Sequence, residues 1–592
     1  MKKPYRSTIA ASSALSTVLW ACGSGVDHGE QLNAMVEEYY EEYLTMNPIT
    51  ATSIGDHRYD DQFANSLSEQ FRTAALDLER RYLEAATDID PESLGDQDHL
   101  TYDLFVYGRN LNIESYEFPS HLIPMSQFFS TPNFFATLGS GKSLHPFKTV
   151  QNYDDFLSRM DGFLEWIDQA IANMRIGMER GLVQPRVLME RSLPQLEAHV
   201  VDNAEESIFW GPINDMPDSI PEADRNRLAD TYRTAITDKL VPAYARLHDF
   251  IRDEYMPRTR EIAGIGAVPG GDDWYAYLVR SRTTTALSPS EIHDIGLAEV
   301  ARIHEEMQGV MDEVGFEGDR DAFFDFVSTD PQFHFESKEA MLAAYEGLRE
   351  DVDSKALALF ERFPNAGYEI RPVEPFRERS FAGGSYQAPS PDGTRPGVFY
   401  VNTYDLSSRP IWDMESLFLH EAVPGHHFQI ALARELEELP RFRRFGSFTA
   451  YTEGWGLYAE SLGKELGVYQ DPYQYFGGLN AELWRAIRLV VDTGLHEKGW
   501  TREQVIDYML ENSATGETTA IAEAERYMAL PGQALAYKIG QLKIRELRNR
   551  AEAALGDRFD VRAFHSQVLN DGPLPMSVLE AKIDRWIVAQ SD

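Results

Sequence analysis

Residues 420–429 read HEAVPGHHFQ, and the interpretation of the whole chain depends on this stretch. It begins like the zinc-protease signature H-E-x-x-H, in which two histidines one helical turn apart bind the same ion. Here a Pro-Gly pair stands where the second histidine is expected, and the next histidines are His426 and His427. On a regular helix His426 would face about 120° away from His420, and His427 would lie about 10.5 Å further along the axis. A continuous helix therefore cannot carry this site.

The pair Pro424-Gly425 indicates how the histidines could still converge. Proline interrupts a helix, and glycine adopts backbone conformations that other residues avoid. A short loop here would bring His426 or His427 to the position of the second ligand, and the sequence leaves open which one. The helix before the loop, MESLFLHEAV, is predicted to begin after Asp413 as its N-cap.

A second helix is predicted to supply the carboxylate that such a site needs. The segment TAYTEGWGLYAESLGKEL, residues 449–466, places Glu453 and Glu460 seven positions apart and therefore on one face. Glu453 is the better candidate for the third ligand. Glu460 would lie one layer deeper in the protein than Glu453, where it could orient a ligand histidine. Trp455 and Tyr458 occupy the other side and are predicted to pack in the core.

Length, composition and charge limit the kind of protein that this chain can be. The chain has 592 residues, of which 43% are hydrophobic, enough for a large core. Its formal net charge of −40 argues against a nucleic-acid partner, because a phosphate backbone would be repelled over most of the surface. No stretch after the N-terminal one approaches the ~20 apolar residues that span a bilayer.

The N-terminal residues are predicted to export and anchor the protein. A basic start and a short apolar run lead to Cys22, the only cysteine. Residues 1–22 resemble a bacterial lipoprotein signal peptide, with Cys22 as the lipidation site and residues 23–29 as a tether. An ordinary signal peptide with an incidental cysteine is the alternative. We expect a lipid-anchored protein of the bacterial cell envelope, exposed to the periplasm, and the residue after Cys22 favours the outer membrane.

The rest of the chain is predicted to be mainly α, in two lobes. Apolar residues recur at helical spacing through an N-terminal lobe, residues 30–263, and again through a catalytic lobe, residues 264–592. The exception is residues 378–402, where two short strand-like runs flank a Pro-Asp-Gly turn and predict a hairpin beside the metal helix. Residues 398–402 are the candidate edge strand for a peptide. A hairpin that only packs against helices is the alternative.

Several long motifs resemble one family. HEAVPGHHFQ, YTEGWGLYAE (451–460) and PGQALAYKIGQLKIRELR (531–548) resemble a bacterial domain-of-unknown-function family, number eight-eight-five, many of whose members carry lipoprotein signals. The resemblance extends to YLTMNPITATSIGDHRYD (43–60) and LSPSEIHDIGLAEV (287–300), and so covers most of the chain. The family name implies no activity.

More distantly, the layout is similar to the gluzincin metallopeptidases of the angiotensin-converting-enzyme, oligopeptidase and Taq carboxypeptidase type. That similarity implies a helical, two-lobed body and a zinc ion bound by His420, by one of His426 and His427, and by Glu453. The insertion of two or three residues between the first and second histidines departs from the gluzincin pattern, and it leaves open which histidine is the second ligand.

The same similarity implies roles for other residues. Glu421 would be the general base that takes a proton from the attacking water. Tyr537 would donate a hydrogen bond to the oxyanion. The predicted substrate contacts are Asn402, Arg526, Tyr527 and Gln541.

The sequence thus predicts a zinc-dependent hydrolase that cleaves short peptides in the cell envelope, with water activated by Glu421 as the nucleophile. Two alternatives stay open. One is a non-catalytic binding or scaffold lipoprotein with a structural metal, against which the presence of Glu421 argues. The other is a zinc hydrolase of non-peptide amides or esters, which would use the same residues. The sequence leaves the oligomeric state open.

Overall fold

Helices make up most of the protein, which confirms the prediction of a mainly α fold. The structure is a computed structural model, and it describes residues 27–374, 378, 382–390 and 395–591. The predicted signal peptide, including Cys22, lies outside the described residues. The predicted tether is described only from Asp27, which caps a helix that already begins at His28.

The first helices lie between Asp27 and residue 263. They are α1 (His28–Met46), α2 (Pro48–Ser53), α3 (Glu69–Thr87), α4 (Asp96–Ser115), α5 (Thr131–Leu138), α6 (Val150–Arg180), α7 (Arg186–Glu197), α8 (Gly211–Asn214), α9 (Glu222–Ala235) and α10 (Val241–Phe250). The longest of them, α6, begins with a capping box between Thr149 and Asn152 and ends at Gly181 in the left-handed conformation.

The remaining helices surround the HEAVPGHHFQ stretch. They are α11 (Gly271–Thr283), α12 (Pro289–Glu313), α13 (Arg320–Thr329), α14 (Lys338–Ala356), α15 (Met414–Glu421), α16 (His426–Arg434), α17 (Arg441–Arg444), α18 (Thr449–Ser461), α19 (Pro472–His496), α20 (Arg502–Asn512), α21 (Glu517–Ala529), α22 (Ala536–Leu555), α23 (Val561–Leu569) and α24 (Met576–Ser591). Helix α12 begins with the capping box of Ser288 and Glu291. None of the described helices is both long and apolar enough to cross a membrane.

The strands form one small sheet, in the order β1 (Tyr368–Pro372), β3 (Gly397–Val401), β2 (Gly384–Gln387). Strands β2 and β3 pair antiparallel, as predicted for the hairpin, while the Pro-Asp-Gly turn between them falls outside the described residues. Strand β1 was not predicted, and it pairs with β3 in parallel. The prediction that residues 398–402 form an edge strand is therefore wrong, because β3 has a hydrogen-bonded neighbour on both sides.

Core packing crosses the predicted lobe boundary. The helices α5 to α10 enclose a core of their own, in which Phe135 stacks on Phe163 with ring centroids 4.0 Å apart. By contrast, Phe105 of α4 packs edge-on against Phe442 of α17, 5.6 Å away. Helix α4 also contributes Leu100 to the core around α15, α18 and α22. Helix α4 therefore packs against the C-terminal half of the chain. The division into two lobes at residue 263 stays a prediction.

Candidate metal centre

A break between two helices places the histidines. Helix α15 ends at Glu421 and α16 begins at His426, so the first histidine is on one helix and the second opens the next. Asp413 is the N-cap residue of α15, as predicted, but its side chain makes no capping hydrogen bond. Asp413 is itself in the turn Ile411–Asp413 that leads into the helix, and burial raises the pKa of its carboxyl to about 6.

The loop between these helices is shaped by Gly425. A Cβ atom at this position would lie 1.9 Å from the carbonyl oxygen of His420, so a side chain cannot be accommodated without moving the backbone. The Val423–Pro424 peptide bond is cis, and the Pro424 carbonyl accepts a hydrogen bond of 2.7 Å from the indole Nε1 of Trp455. The loop is therefore held against α18, the helix that carries Glu453.

The three side chains His420, His426 and Glu453 converge. The Nε2 atoms of His420 and His426 lie 3.7 and 3.5 Å from the same carboxylate oxygen, Oε2 of Glu453. One ligand atom from each residue can be chosen so that no two are more than 4.8 Å apart. In a tetrahedral zinc site with bonds near 2.1 Å, two ligand atoms are about 3.4 Å apart. The separations from Glu453 thus fit a tetrahedral ion.

His427, the other candidate for the second ligand, does not join this cluster. Its Nδ1 is 3.0 Å from the hydroxyl oxygen of Tyr386, and its ring also makes a hydrogen bond with the backbone of Ala366. The ring packs 4.5 Å from that of Tyr368, so His427 faces the small sheet. Burial lowers the pKa of His427 to about 4. Of the two histidines that the sequence left open, His426 is the one that lies with His420 and Glu453, while His427 lies apart from them.

Glu460 lies behind His420. One of its carboxylate oxygens is 2.7 Å from Nδ1 of His420, and the other accepts a hydrogen bond of 2.6 Å from the hydroxyl of Ser416. Both side chains are almost fully buried. Since Nδ1 is engaged here, Nε2 is the ring atom that faces Glu453. This is the arrangement that a carboxylate uses to orient a metal-ligating histidine.

The electrostatics of the cluster favour a cation. Although burial opposes it, the Glu453 carboxylate 3.7 Å away and the hydrogen bond that Glu460 accepts raise the pKa of His420 to about 10. Burial would raise the pKa of Glu453, but its contacts with His420 and His426 hold that pKa far below its usual range. A positive charge is therefore stabilised between these groups, either as a proton on the imidazole or as a metal ion.

Glu421 lies next to the cluster, and its carboxylate has no bonding partner among the described residues. It is the last residue of α15, only 9% exposed, and close enough to His420 to act on it electrostatically. Within the described part of the chain its carboxylate makes no hydrogen bond or ion pair. A buried carboxylate without a partner is available to accept a proton.

Tyr537 lies in the first turn of α22, which crosses α18 closely. A Cβ at Gly540, one turn after Tyr537, would lie 2.0 Å from the carbonyl oxygen of Ala450, so the two helices touch through backbone at this point. The guanidinium of Arg488 lies over the Tyr537 ring, 4.7 Å from its centroid. Arg488 also donates to the hydroxyl of Tyr527, 2.9 Å away.

Three of the four predicted substrate contacts are engaged inside the protein. Tyr527 is fully buried, and its hydroxyl donates to Glu523 over 2.6 Å. The amide of Asn402 donates to the backbone carbonyl of Glu378, and that of Gln541 accepts from the buried Lys538. These side chains therefore have hydrogen-bond partners within the protein, and their role as substrate contacts stays a prediction.

Arg526, the fourth predicted contact, is partly exposed. It forms an ion pair with Glu523 at 3.2 Å, and its guanidinium lies over the exposed ring of Phe128, 5.4 Å from the centroid. Only 18% of this side chain is exposed, and it also donates a hydrogen bond of 3.1 Å to Oε1 of Gln533.

Sequence reasoning missed Ser416, Arg488 and Tyr386. Ser416 precedes His420 by four residues, and this spacing on one helix face could have linked it to the same carboxylate. Arg488 stands in the otherwise apolar run AIRLVV of α19, where an unpaired charge would be costly, and that could have signalled a buried network. No pattern in the sequence relates Tyr386 to His427, 41 residues later.

These observations define a mainly α protein with a buried two-histidine, one-glutamate centre. The chain belongs to the family described as "Bacterial protein of unknown function (DUF885)", which matches residues 48–583. Among proteins of curated function, none matches the chain.

Solved structures support the fold. The chain is similar to "the putative lipoprotein from Colwellia psychrerythraea", with 29% identity, a TM-score of 0.86, and coverage of 95% of this chain and 100% of that one. It is also similar to "a putative lipoprotein of unknown function from Shewanella oneidensis", with 16% identity, a TM-score of 0.73, and coverage of 93% and 99%. "A putative oligoendopeptidase F from Bacillus anthracis" is 12% identical, with coverage of 87% of this chain and 96% of that one. Its TM-score of 0.22 is too low to indicate a shared fold.

Proposed function

We propose that this protein is a zinc-dependent hydrolase of short peptides. The observation that carries the proposal is the convergence of the Nε2 atoms of His420 and His426 on one oxygen of Glu453, at 3.7 and 3.5 Å. Two imidazoles and one carboxylate suit zinc. Three protein ligands leave a fourth position for water or substrate, as in catalytic rather than structural sites.

A zinc ion in this site would polarise a scissile carbonyl and lower the pKa of water. The protein's own groups then supply the proton transfers. The Glu421 carboxylate accepts the proton of the attacking water and delivers it to the nitrogen of the leaving amine. Glu460 keeps the His420 ring oriented through Nδ1.

Tyr537 is proposed as the donor to the oxyanion. A phenol is neutral at neutral pH and can stabilise negative charge on the carbonyl oxygen by a hydrogen bond. The position of Arg488 over the ring supports this role, because a cation on the aromatic face makes the hydroxyl a better donor and fixes the ring. Arg526 is the remaining proposed substrate contact.

The proposed location is the bacterial cell envelope, with a lipid anchor at Cys22. The sequence pattern before Cys22 supports it, and so do the descriptions of the two structural relatives as lipoproteins. Mass spectrometry of the mature N-terminus, purified from a bacterial membrane fraction, tests this. A diacylglycerol-modified Cys22 is expected, and an unmodified residue at or beyond position 23 would contradict the anchor.

The experiment that tests the activity is a cleavage assay on a mixed pool of short peptides, analysed by mass spectrometry. Zinc-loaded protein is compared with Glu421→Gln, which keeps all three ligands and a side chain of the same size. New peptide termini are expected only with the unmodified protein, while elemental analysis shows equal zinc in both. If both proteins hold zinc and the pool is unchanged, the peptidase proposal fails, and non-peptide amides and esters are tested next.

The ligand assignment has its own test. Glu453→Ala is expected to lose both zinc and activity, because two imidazoles alone bind the ion weakly. Retention of stoichiometric zinc by Glu453→Ala, measured by elemental analysis, would show that this glutamate is not a ligand.

A further inference from the structure

A cavity of about 410 Å³ lies between the N-terminal helices and the C-terminal half of the protein. Its twenty lining residues come from residues 66–129, from Gln184, from residues 260–282 and from residues 528–531. Three arginines and one histidine are among them, and no aspartate or glutamate is. The whole chain has 95 acidic and 55 basic residues, so this lining reverses the charge balance of the protein.

The cations of this cavity lack carboxylate partners. Arg282 forms no ion pair within 4 Å in the described part of the chain, and its buried Nε atom has no hydrogen-bond partner. Arg72 likewise forms no ion pair with a described residue, and its guanidinium lies over the Tyr116 ring, 5.2 Å from the centroid. The buried Nδ1 of His121 also has no hydrogen-bond partner there. These are the groups that a bound anion would satisfy.

The third arginine, Arg260, has a structural role. Its guanidinium donates to the backbone carbonyls of Val183, at 2.9 Å, and Gly264, at 2.6 Å. It therefore holds the wall of the cavity and adds positive charge, while Arg72 and Arg282 have N–H groups to offer.

Burial makes these charges costly. It lowers the pKa of Arg260 to about 10, and it lowers the pKa of Arg72 and of Arg282 as well. An unpaired buried charge or donor destabilises a fold, and buried polar groups normally have partners. Among the described residues, no hydrogen bond or ion pair to a protein group explains the charge of Arg282. A bound anion would account for its presence.

Twelve of the twenty lining residues are apolar, which restricts the ligand further. Trp274 and Leu278 precede Arg282 by eight and four residues on α11, so one face of this helix presents two apolar side chains and then the cation. Met125 and Met528 also line the cavity. A volume of this size is typical of small-molecule sites, about 300–1,000 Å³. A phosphate ion alone would leave most of the apolar surface uncovered.

We propose that this cavity binds the carboxylate of a ligand with an apolar body, with Arg282 and Arg72 as the groups that pair with the carboxylate. Arginine pairs with a carboxylate through two parallel hydrogen bonds, and the pairing is strong where water is excluded. The ligand is the C-terminal residue of a peptide, in which case the inference rests on the proposed function, or it is a separate small carboxylic acid.

The location of the cavity is consistent with a role for a peptide. Residues 528–531 line it, and they connect α21, which carries Arg526, to the turn before α22, which carries Tyr537. The segment that forms one wall therefore lies between Arg526 and Tyr537, the two residues that the proposed reaction uses.

Calorimetric titration of the full-length protein tests the binding. N-acetylphenylalanine is compared with its neutral amide and with inorganic phosphate. The acid is expected to bind at least tenfold more tightly than the amide, and Arg282→Gln is expected to lose at least tenfold in affinity for the acid. Arg282→Lys, which keeps the charge, should recover part of it. The matched control is Arg252→Gln, an exposed arginine paired with Asp253 on the surface, which should bind like the unmodified protein.

Three results would overturn the proposal. The first is equal binding of the acid and the amide, and the second is an Arg282→Gln variant that melts normally and binds the acid unchanged. Tight binding of phosphate without binding of the acid would also overturn the assignment of a carboxylate. None of these measurements requires hydrolysis, so they stand if the peptidase proposal fails.

A second arm identifies the source of the carboxylate. Peptides with a free C-terminus and the same peptides with a C-terminal amide are compared as substrates. If the substrate's own carboxylate enters the cavity, Arg282→Gln raises KM for the free peptides and leaves KM for the amides unchanged. If a separate acid enters, N-acetylphenylalanine changes the rate on amidated peptides without competing with them, and Arg282→Gln abolishes that effect.

Discussion

Replacing Gly456 by alanine tests the metal centre without changing any proposed ligand. Gly456 lies on α18, three residues after Glu453, and the ring of His420 packs directly over it. A Cβ at this position would lie 2.7 Å from Cε1 of that ring and 3.0 Å from both of its nitrogens. Ordinary contacts begin at 3.4 Å, so the imidazole has to move by about 0.7 Å. Zinc–ligand distances tolerate only about 0.2 Å.

The ring cannot make this movement freely, because its Nδ1 is held by Glu460 at 2.7 Å. Gly456→Ala should therefore weaken zinc binding at least tenfold, or about 1.4 kcal/mol. Alanine is at the same time a better helix former than glycine, by up to about 1 kcal/mol, which offsets part of the strain on the fold. Loss of zinc affinity with retention of helical structure is thus the expected result.

The assay is competition for zinc with a chromophoric chelator, with circular dichroism to check the fold. Gly347→Ala is the matched control, since Gly347 is also within a helix but a Cβ there would meet nothing within 4 Å. The control should bind zinc like the unmodified protein. If Gly456→Ala binds zinc within twofold of the unmodified protein, the reasoning that places His420 in the coordination sphere is refuted.

Two further predictions concern the metal centre, and a third concerns the pH dependence of stability. His426→Gln should lose zinc, whereas His427→Gln should keep it, because His427 is hydrogen-bonded to Tyr386. Elemental analysis measures the zinc content of both variants, and equal losses would contradict the assignment. Glu460→Gln should lower zinc affinity about 10- to 100-fold, measured by chelator competition, and an unchanged affinity would exclude its role. Burial raises the pKa of Asp492 to about 7, so the folded state holds a proton that the unfolded state releases near pH 4. Stability should therefore fall between pH 4 and 7, by at most about 4 kcal/mol, and Asp492→Asn should reduce this fall in thermal melts; an identical pH profile would contradict it.

Much of the helical structure could be predicted from the sequence, because helix signals are local. The capping box at Ser288 and Glu291 depends on residues three positions apart, and the structure forms it. The seven-residue spacing of Glu453 and Glu460 likewise depends only on helix geometry, and both side chains lie against the same histidine ring. Strand β1 was missed, since its short, largely exposed sequence YEIRP has no strong strand pattern and its partner lies about 30 residues away.

The candidate site was predicted only in part, because contacts between distant segments leave no local signal in the sequence. The residue types were readable, but the sequence could not exclude His427, whose partner Tyr386 comes from a strand 41 residues earlier. Predicted contacts such as Tyr527 proved to be satisfied by Glu523 and Arg488, through hydrogen bonds that no local pattern encodes.

The sequence by itself determined that the protein is mainly helical, which residues could bind a metal, and that the Pro-Gly pair has to interrupt the helix between the histidines. Periodicity, caps and helix geometry are properties of neighbouring residues, so they can be read along the chain. Only the tertiary structure decided that His426 joins His420 and Glu453, that β3 is central in its sheet, and that Arg282 is half-buried with no ion-pair partner among the described residues. Each of these depends on which distant segments pack together, and packing is settled by the burial of the whole core rather than by any one segment.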